Sequence, residues 1–330
     1  MVGYKPHLES RLSPLDHGVA GAVSGMATRA LMQPFDVLKI RFQLQFEPVH
    51  DPGESVQGSR AKSKYTGILQ AGRTIYIEEG TAAFWKGHVP AQALSVVFGM
   101  LQFTTFEYLT ETAHPFLSKG LSTGMAKPFF HFVCGGVSGC VATFACQPID
   151  IVRTRLVAQG EPKLYHSSLQ AVRMMYGEAG VLTFFKGLLP TMLQVFPHAG
   201  FQFGFYALFK RVWEVVMDQP EKTSGIHVPT ALKSFTCGAL SGLCAKTAVY
   251  PLDLVKKRLQ VQGFEEARKS FGKVQRYNSM LHCVACTVKE EGIRGMYKGL
   301  WPSTLKAIGT VGFTFCFYEK ACHFLERRYL

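Results

Sequence analysis

Pro34-Phe35-Asp36-Val37-Leu38-Lys39-Ile40-Arg41 places a proline two residues before an acid, with basic side chains three and five positions beyond the acid. The pattern returns at Pro148-Ile149-Asp150-Ile151-Val152-Arg153-Thr154-Arg155 and at Pro251-Leu252-Asp253-Leu254-Val255-Lys256-Lys257-Arg258. Each copy is followed, 39 to 53 residues after its proline, by the glycine of an aromatic-Lys-Gly triplet: Trp85-Lys86-Gly87, Phe185-Lys186-Gly187 and Tyr297-Lys298-Gly299. At average residue usage one copy arises by chance in roughly one chain in a hundred of this length, so three in register are an internal triplicate. A threefold molecule has an axis along which something can pass.

The prolines stand 114 and 103 residues apart, too long for a solenoid unit and suited to a two-helix membrane module. The spacing predicts an all-α membrane protein of six spans in three pseudo-threefold repeats, at 14–112, 128–214 and 230–325. The spans fall at 17–42, 88–112, 128–157, 188–216, 231–262 and 300–324, each long enough to cross a bilayer with tilt. Short amphipathic stretches near 66–78, 168–177 and 279–290 read as helices on the membrane surface. Glycine pairs four residues apart (Gly21/Gly25, Gly135/Gly139, Gly238/Gly242) are expected to let helices approach closely in lipid. The stretch 47–64 is a Pro/Gly/Ser-rich insertion confined to the first repeat.

A net charge of +13 raises the question of nucleic acid. The stretches 39–87, 153–186 and 256–298 carry 22 Lys+Arg against 11 Asp+Glu, whereas 1–16, 107–127, 210–230 and 319–330 carry 10 against 9. A basic excess on one set of loops is the positive-inside pattern of a membrane protein. Hydrophobic content is 47%, yet mean hydropathy is only slightly positive, as a bundle lined by polar groups requires. Nine cysteines, mostly in apolar stretches, read as small buried hydrophobes. Cys283 and Cys286 beside His282 have no second pair at ligand spacing, so no metal is expected. Met1 to Asp16 has neither an apolar core nor an arginine-rich run, so no cleaved presequence is expected. With no P-loop and no nucleophile–base spacing, an enzyme is not expected.

These repeats resemble the mitochondrial carrier family, whose signature is P-x-[DE]-x-x-[KR]-x-[KR] followed by [DE]-G-x-x-x-x-[aromatic]-[KR]-G, three times. The match runs from about residue 14 to 325. One departure puts a contact in doubt: Gly180 follows Ala179, and the acid stands one place earlier at Glu178. Phe35 to Gln45, Phe84 to Gln92, Ala158 to Lys163 and Tyr250 to Phe264 resemble the branch of the family that moves thiamine pyrophosphate. The resemblance implies a multi-pass antiporter of the mitochondrial inner membrane, importing that substrate by alternating access in exchange for nucleotides. Adenine nucleotide or coenzyme A carriage stays open as the alternative, with an uncoupler-like proton leak behind it. The expected partners are an anionic small molecule and membrane lipid, cardiolipin among them. Nucleic acid and a bound cofactor are not expected, and the expected state is a monomer.

Asp36, Asp150 and Asp253 precede Lys39, Arg153 and Lys256 by three residues, on one helical face. Around a threefold axis each acid can reach the base of the next repeat, a ring the resemblance identifies as a matrix gate; the alternative is charges snorkelling to headgroups. Gln43 and Gln260, nine residues after their prolines, can brace it, and Val157 takes the third position. On the opposite side the resemblance implies [FY]-[DE]-x-x-[KR] in each even span. Glu107, Lys210 and Glu319 are what remains of it, a weaker cytoplasmic gate or ordinary interfacial charges. For substrate, Arg29, Thr143 and Lys246 stand five residues before each proline. Seven residues after each triplet's glycine stand Leu94, Gln194 and Lys306, the family's contact position. Arg29, Lys246 and Lys306 are expected to be three midplane cations with no evident acidic partner, fit for a diphosphate; the alternative is packing against backbone carbonyls. Phe98 and His198 lie one turn beyond and Gln102 and Gln202 one further, placed to read the organic part of a ligand.

Overall fold

The computed structural model describes residues 13–45, 64–120, 126–217, 230–264 and 275–327, and among these every regular element is helical. Six long helices carry the architecture: α1 (Pro14–Leu44), α3 (His88–Gly120), α4 (Ala126–Ala158), α6 (Leu188–Met217), α7 (Thr230–Gln260) and α9 (Leu300–Glu326). The shortest has 27 residues, about 40 Å at 1.5 Å per residue, against about 30 Å of bilayer hydrocarbon. Three short helices lie between the paired long ones: α2 (Ile68–Glu79), α5 (Ser168–Ala179) and α8 (Met280–Gly295). The expected elements are all present. α3 runs on past the expected end at 112 and is helical to Gly120, the last described residue before residue 126. The expected insertion at 47–64 lies outside the described residues except for Lys64.

The helices close a ring in the order α1–α3–α4–α6–α7–α9. The long side-by-side contacts are those between repeats, α3 with α4, α6 with α7 and α9 with α1, and the partners within a repeat touch less. His17 Nδ1 lies 3.0 Å from the Tyr318 hydroxyl, so the start of α1 meets the end of α9. By length and composition alone, Thr81–Thr112 and Phe129–Ala158 are apolar enough to cross a membrane, and a third span is added if the bent pair Ser168–Glu178 and Gly180–Val215 counts as one. α1, α7 and α9 do not meet that measure; each has charged residues within it, such as Arg29, Asp36, Lys39 and Arg41 in α1.

Each surface helix is fastened to the end of its own odd helix by an apolar cluster, such as Leu38 with Tyr65, Ala71, Ile75 and Ala83. Burying each Leu- or Ile-sized side chain is worth about 1.5–3 kcal/mol. A central cluster of Val37, Ile40, Leu44, Val157, Ala158 and Val261 joins all three repeats at that end. The starts of these helices share one bond, and Ser167 and Ser279 add side-chain caps to α5 and α8 that Gly67 does not give α2. The backbone N–H groups of Thr66, His166 and Asn278 donate to the side chains of Gln70, Gln170 and His282. His282 is therefore a capping residue: Nδ1 accepts from Asn278, which leaves the neutral ring's Nε2–H to face Cys286 Sγ at 3.2 Å.

The glycine pairs do not do what their spacing suggests. A Cβ at Gly21, Gly25, Gly135, Gly238 or Gly242 would meet nothing within 4 Å, and only Gly139 is approached, by Val195 at 3.1 Å. The close crossing of α4 and α6 uses the unforeseen Gly136, which lies against the Phe196 ring. Within a repeat α1 meets α3 and α7 meets α9 over short stretches only, through side chains such as Gln92 on the Met26 carbonyl at 3.1 Å and Lys246 on the Ser303 carbonyl at 2.7 Å.

Candidate functional site

The motif at the end of each odd helix assembles a cyclic ring of ion pairs. Arg153 reaches Asp36 at 2.7 Å, Lys256 reaches Asp150 at 2.8 Å and Lys39 reaches Asp253 at 2.6 Å. Each acid thus takes the base of the following repeat, as the three-residue offset on one helical face predicts. Gln43 donates to Asp253 at 3.0 Å and to the Tyr250 hydroxyl at 3.0 Å. Gln260 donates to Asp150 at 2.8 Å and accepts from Thr154 at 2.9 Å. Val157, the third member, packs in the central apolar cluster instead.

A second ring lies outside the first and was not anticipated. The last arginine of each motif binds an acid of its own surface helix: Arg41 with Glu79, Arg155 with Glu178 at 2.8 Å and Arg258 with Glu291 at 2.7 Å. The same guanidinium donates to the carbonyls that end the next odd helix: Val157 and Gln159, Gln260 and Gln262, Gln43 and Gln45. A helix end leaves such carbonyls without partners, and here a neighbouring repeat supplies them. The displaced acid Glu178 still finds Arg155, but its side chain is 32% exposed against 1% for Glu79 and 0% for Glu291. Burial alone would raise Glu79; hydrogen bonds from Arg41 and Lys86 outweigh it and hold the carboxyl below its usual range.

The two motifs also meet through their glycines. Gly87, Gly187 and Gly299 have φ of 72°, 75° and 81°, a region only glycine enters freely. A Cβ on them would lie 3.0, 3.0 and 2.9 Å from the carbonyls of Arg153, Lys256 and Lys39. The residue before each motif proline completes the joint: Gln33, Gln147 and Tyr250 donate to the carbonyls of Lys86, Lys186 and Lys298 at 3.1, 3.0 and 2.8 Å.

Above the ring is a cavity of about 410 Å³, with Phe98, Leu94, Ser95 and Gly99 on α3, Thr143, Cys146 and Gln147 on α4, and Thr191 on α6. Its charged lining comprises Asp36, Asp150 and Asp253 with Lys39, Arg153, Lys256, Lys257 and Lys306, a formal surplus of two positive charges. Lys257 occupies a variable position of the motif and escapes a reading by signature. It is buried and bonds Asp150 at 3.1 Å, Thr154 at 2.9 Å and Gln260 at 2.9 Å.

The expectation that none of the three cations has an acidic partner is corrected for Lys306. Lys306 Nζ is bound to both oxygens of Asp36 at 2.7 and 2.8 Å, since α9 runs beside α1 and faces its carboxylate. Lys246 donates to the Ser303 carbonyl at 2.7 Å. Arg29 lies within electrostatic range of Asp36, Asp150 and Arg153, with its buried Nε unpartnered among the described residues. Of the other expected ligand groups, Thr143 and Phe98 line the cavity, whereas Gln102, Gln194, His198 and Gln202 lie outside its lining. At the far end Glu107, Lys210 and Glu319 are exposed, with no ion pair among them in the described residues. The ring end is closed by ion pairs, and the far-end charges form no matching ring among the described residues.

A sequence profile described as "Mitochondrial carrier protein" matches residues 10–115, 125–215 and 227–329. The chain is 48% identical to the mitochondrial thiamine pyrophosphate carrier of Bos taurus over 328 residues, covering 99% of this chain and 98% of the relative. It is 46% identical to the protein of the same name from Homo sapiens over 324 residues, covering 98% and 96%. Against mitochondrial thiamine diphosphate carrier 1 of Arabidopsis thaliana it is 36% identical over 317 residues, covering 94% and 92%.

Proposed function

The chain belongs to the mitochondrial carrier family, and from that premise we propose that it moves thiamine pyrophosphate across the mitochondrial inner membrane in exchange for nucleotides. The observation that carries the reading is the cavity's charge: five cations over three carboxylates at the floor of a polar cleft. A pyrophosphate monoester with two to three negative charges neutralises that surplus, gripped by lysine point charges and an arginine fork. Phe98 is the one aromatic among the lining residues and offers its face to a cationic thiazolium. Thr143, Gln147 and Thr191 supply hydrogen bonds to the other ring.

With the basic loops toward the matrix, the closed ring of ion pairs lies at the matrix end, which fits a form that takes substrate from the intermembrane side. Substrate enters from the intermembrane side and loosens the ring through its charge, and a nucleotide makes the return trip. Only a ligand that binds the two forms differently can drive such a cycle. The protein works as a monomer in this reading, since one chain encloses the whole pathway. Clefts between repeats suit an acidic phospholipid such as cardiolipin: Lys86, Lys163 and His166 border one of them, beside an apolar groove formed by Val89, Pro90 and Phe184.

The test is uptake of labelled thiamine pyrophosphate into liposomes that contain the purified protein and are loaded with ADP. Saturable, ADP-dependent uptake is expected. Absence of uptake alongside active ADP/ADP or coenzyme A exchange would replace the substrate and keep the carrier.

A further inference from the structure

The three corners of the closed ring are braced unequally. Gln43 supports Asp253, and Gln260 with Lys257 supports Asp150. At the third corner the bracing position is Val157, which has no hydrogen bond to give. The missing bonds come from the cavity side, where Lys306 donates to both oxygens of Asp36 at 2.7 and 2.8 Å. Its side chain is 27% exposed, while Asp36 and Arg153 at the same corner are 6% and 10% exposed. One ammonium therefore closes the unbraced corner and faces the space a ligand enters.

We propose that Lys306 is shared between gate and ligand: it leaves Asp36 for the phosphate of an entering anion, so that filling the cavity unlatches the corner that has no glutamine. This rests on the reading that the cavity takes a diphosphate. The chemistry favours the exchange. A lysine ammonium has three donors on a flexible stem, and a diphosphate presents more negative charge and more acceptor oxygens than one carboxylate. Asp36 belongs to the first repeat, Arg153 to the second and Lys306 to the third, so this carboxylate ties all three together. Once Lys306 turns away, the boundary between the third and first repeats keeps Lys39–Asp253 and loses its second ion pair. When the ligand departs, Lys306 returns to Asp36, so an empty cavity is a latched one. Lys306 is a positioning residue for the gate and a contact for the ligand, never both at once.

The test uses inorganic pyrophosphate as probe and calorimetry on the full chain in detergent. Asp36→Asn and Asp253→Asn each remove one gate carboxylate and free one gate cation, but only the first frees Lys306. Asp36→Asn is expected to bind pyrophosphate about tenfold more tightly than Asp253→Asn, the scale of one charged hydrogen-bond contact. In a Lys306→Gln background the gap should close. Equal affinities, or a gap that survives without Lys306, would overturn the proposal.

A second readout leaves Asp36 untouched. Ligand-free Lys306→Gln should melt below the unaltered protein, because a gate bond is gone. A lysine that served ligand alone would give the reverse, since its loss relieves repulsion from Arg153 and Lys39; a higher melting point therefore overturns the idea. Pyrophosphate binding that follows the expected pattern without thiamine pyrophosphate uptake would dispose of the substrate and leave the shared lysine standing. No pyrophosphate binding by the unaltered protein would sink it.

Discussion

Alanine in place of Gly299 adds one methyl group at the most crowded point of the closed end. The residue has φ 81° and ψ 7°, a left-handed conformation that costs a non-glycine residue about 1–2 kcal/mol. The new Cβ would lie 2.9 Å from the Lys39 carbonyl, 2.9 Å from the Tyr250 hydroxyl and 3.2 Å from Gln43 Cγ. The carbonyl is backbone and cannot swing aside, and the hydroxyl is held by the Lys298 carbonyl at 2.8 Å. Overpacking of this kind costs about 1–3 kcal/mol, so the total is about 2–5 kcal/mol. For a chain of this size each kcal/mol lowers Tm by about 2 °C, and Gly299→Ala should melt about 4–10 °C early. The melt can be followed with a thiol-reactive dye, because Cys134, Cys146, Cys237 and Cys283 are buried until the protein opens. The control is Gly312→Ala on the same helix, where a Cβ meets nothing within 4 Å. That change should leave Tm unchanged or raise it by the helix preference of alanine, about 0.5–1 kcal/mol. If Gly299→Ala melted with or above the unaltered protein, the account of the glycine joint would be wrong.

Glu291→Gln should destabilise by about 3–5 kcal/mol, because it strips a fully buried partner from Arg258 and Lys298. Glu178→Gln should cost less, because the acid removed is itself 32% exposed, although Arg155 is fully buried; equal losses in thermal melts would refute the difference in burial. Glu79 is held below its usual range in the folded protein, so its contribution is complete above the unfolded value near 4.5 and fades as pH falls through the folded one. The Tm advantage of the unaltered protein over Glu79→Gln should therefore be flat at neutral pH and shrink only below about pH 4.5. Cys286 is half-buried beside His282, whereas Cys283 is buried and its thiol is pushed up to about 11. Maleimide followed by mass spectrometry should tag Cys286 in the native protein and Cys283 only after unfolding.

The repeated proline-acid-base motif made the six long helices and the gate pairs legible, because a fixed offset on one helical face constrains both the ring's members and its cyclic order. What it left illegible are contacts between positions far apart in the chain. Asp36 and Lys306 are 270 residues apart, and nothing local marks them as partners. Arg41, Arg155 and Arg258 are legible as motif members, but besides their glutamates they bind backbone carbonyls of another repeat, which carry no residue identity. Lys257 was overlooked because a signature masks its own variable positions. The displaced acid teaches the same lesson from the other side. Moving from 179 to 178 turns the side chain about 100° around the helix, yet a long arginine still reaches it, and the cost is exposure rather than loss of the pair. Glycine spacing misled because it marks a face capable of close packing without saying whether another helix stands there.

Bonds at the closed end divide by the repeats they join, and the division bears on how such a ring can open. Arginine–glutamate pairs lie within repeats and bind each surface helix to its own odd helix. Between repeats the same arginines reach carbonyls at 3.2 to 3.4 Å in five bonds and 2.9 Å in the sixth, mostly beyond the favoured hydrogen-bond distance. The gate pairs also run between repeats, and their side chains are up to 16% exposed beside the cavity. Opening must break the second class and can leave the first intact. Each arginine that gives up a carbonyl then keeps its glutamate, so no charge is stranded in a dry interior, which is what makes breaking a buried pair costly. The gate cations part next to a cavity that can rehydrate them. Each repeat can therefore swing as a unit with its surface helix attached, against ion pairs whose attraction is largely offset by the desolvation of their own charges. A few such links sum to an energy that differential binding of one highly charged ligand can match.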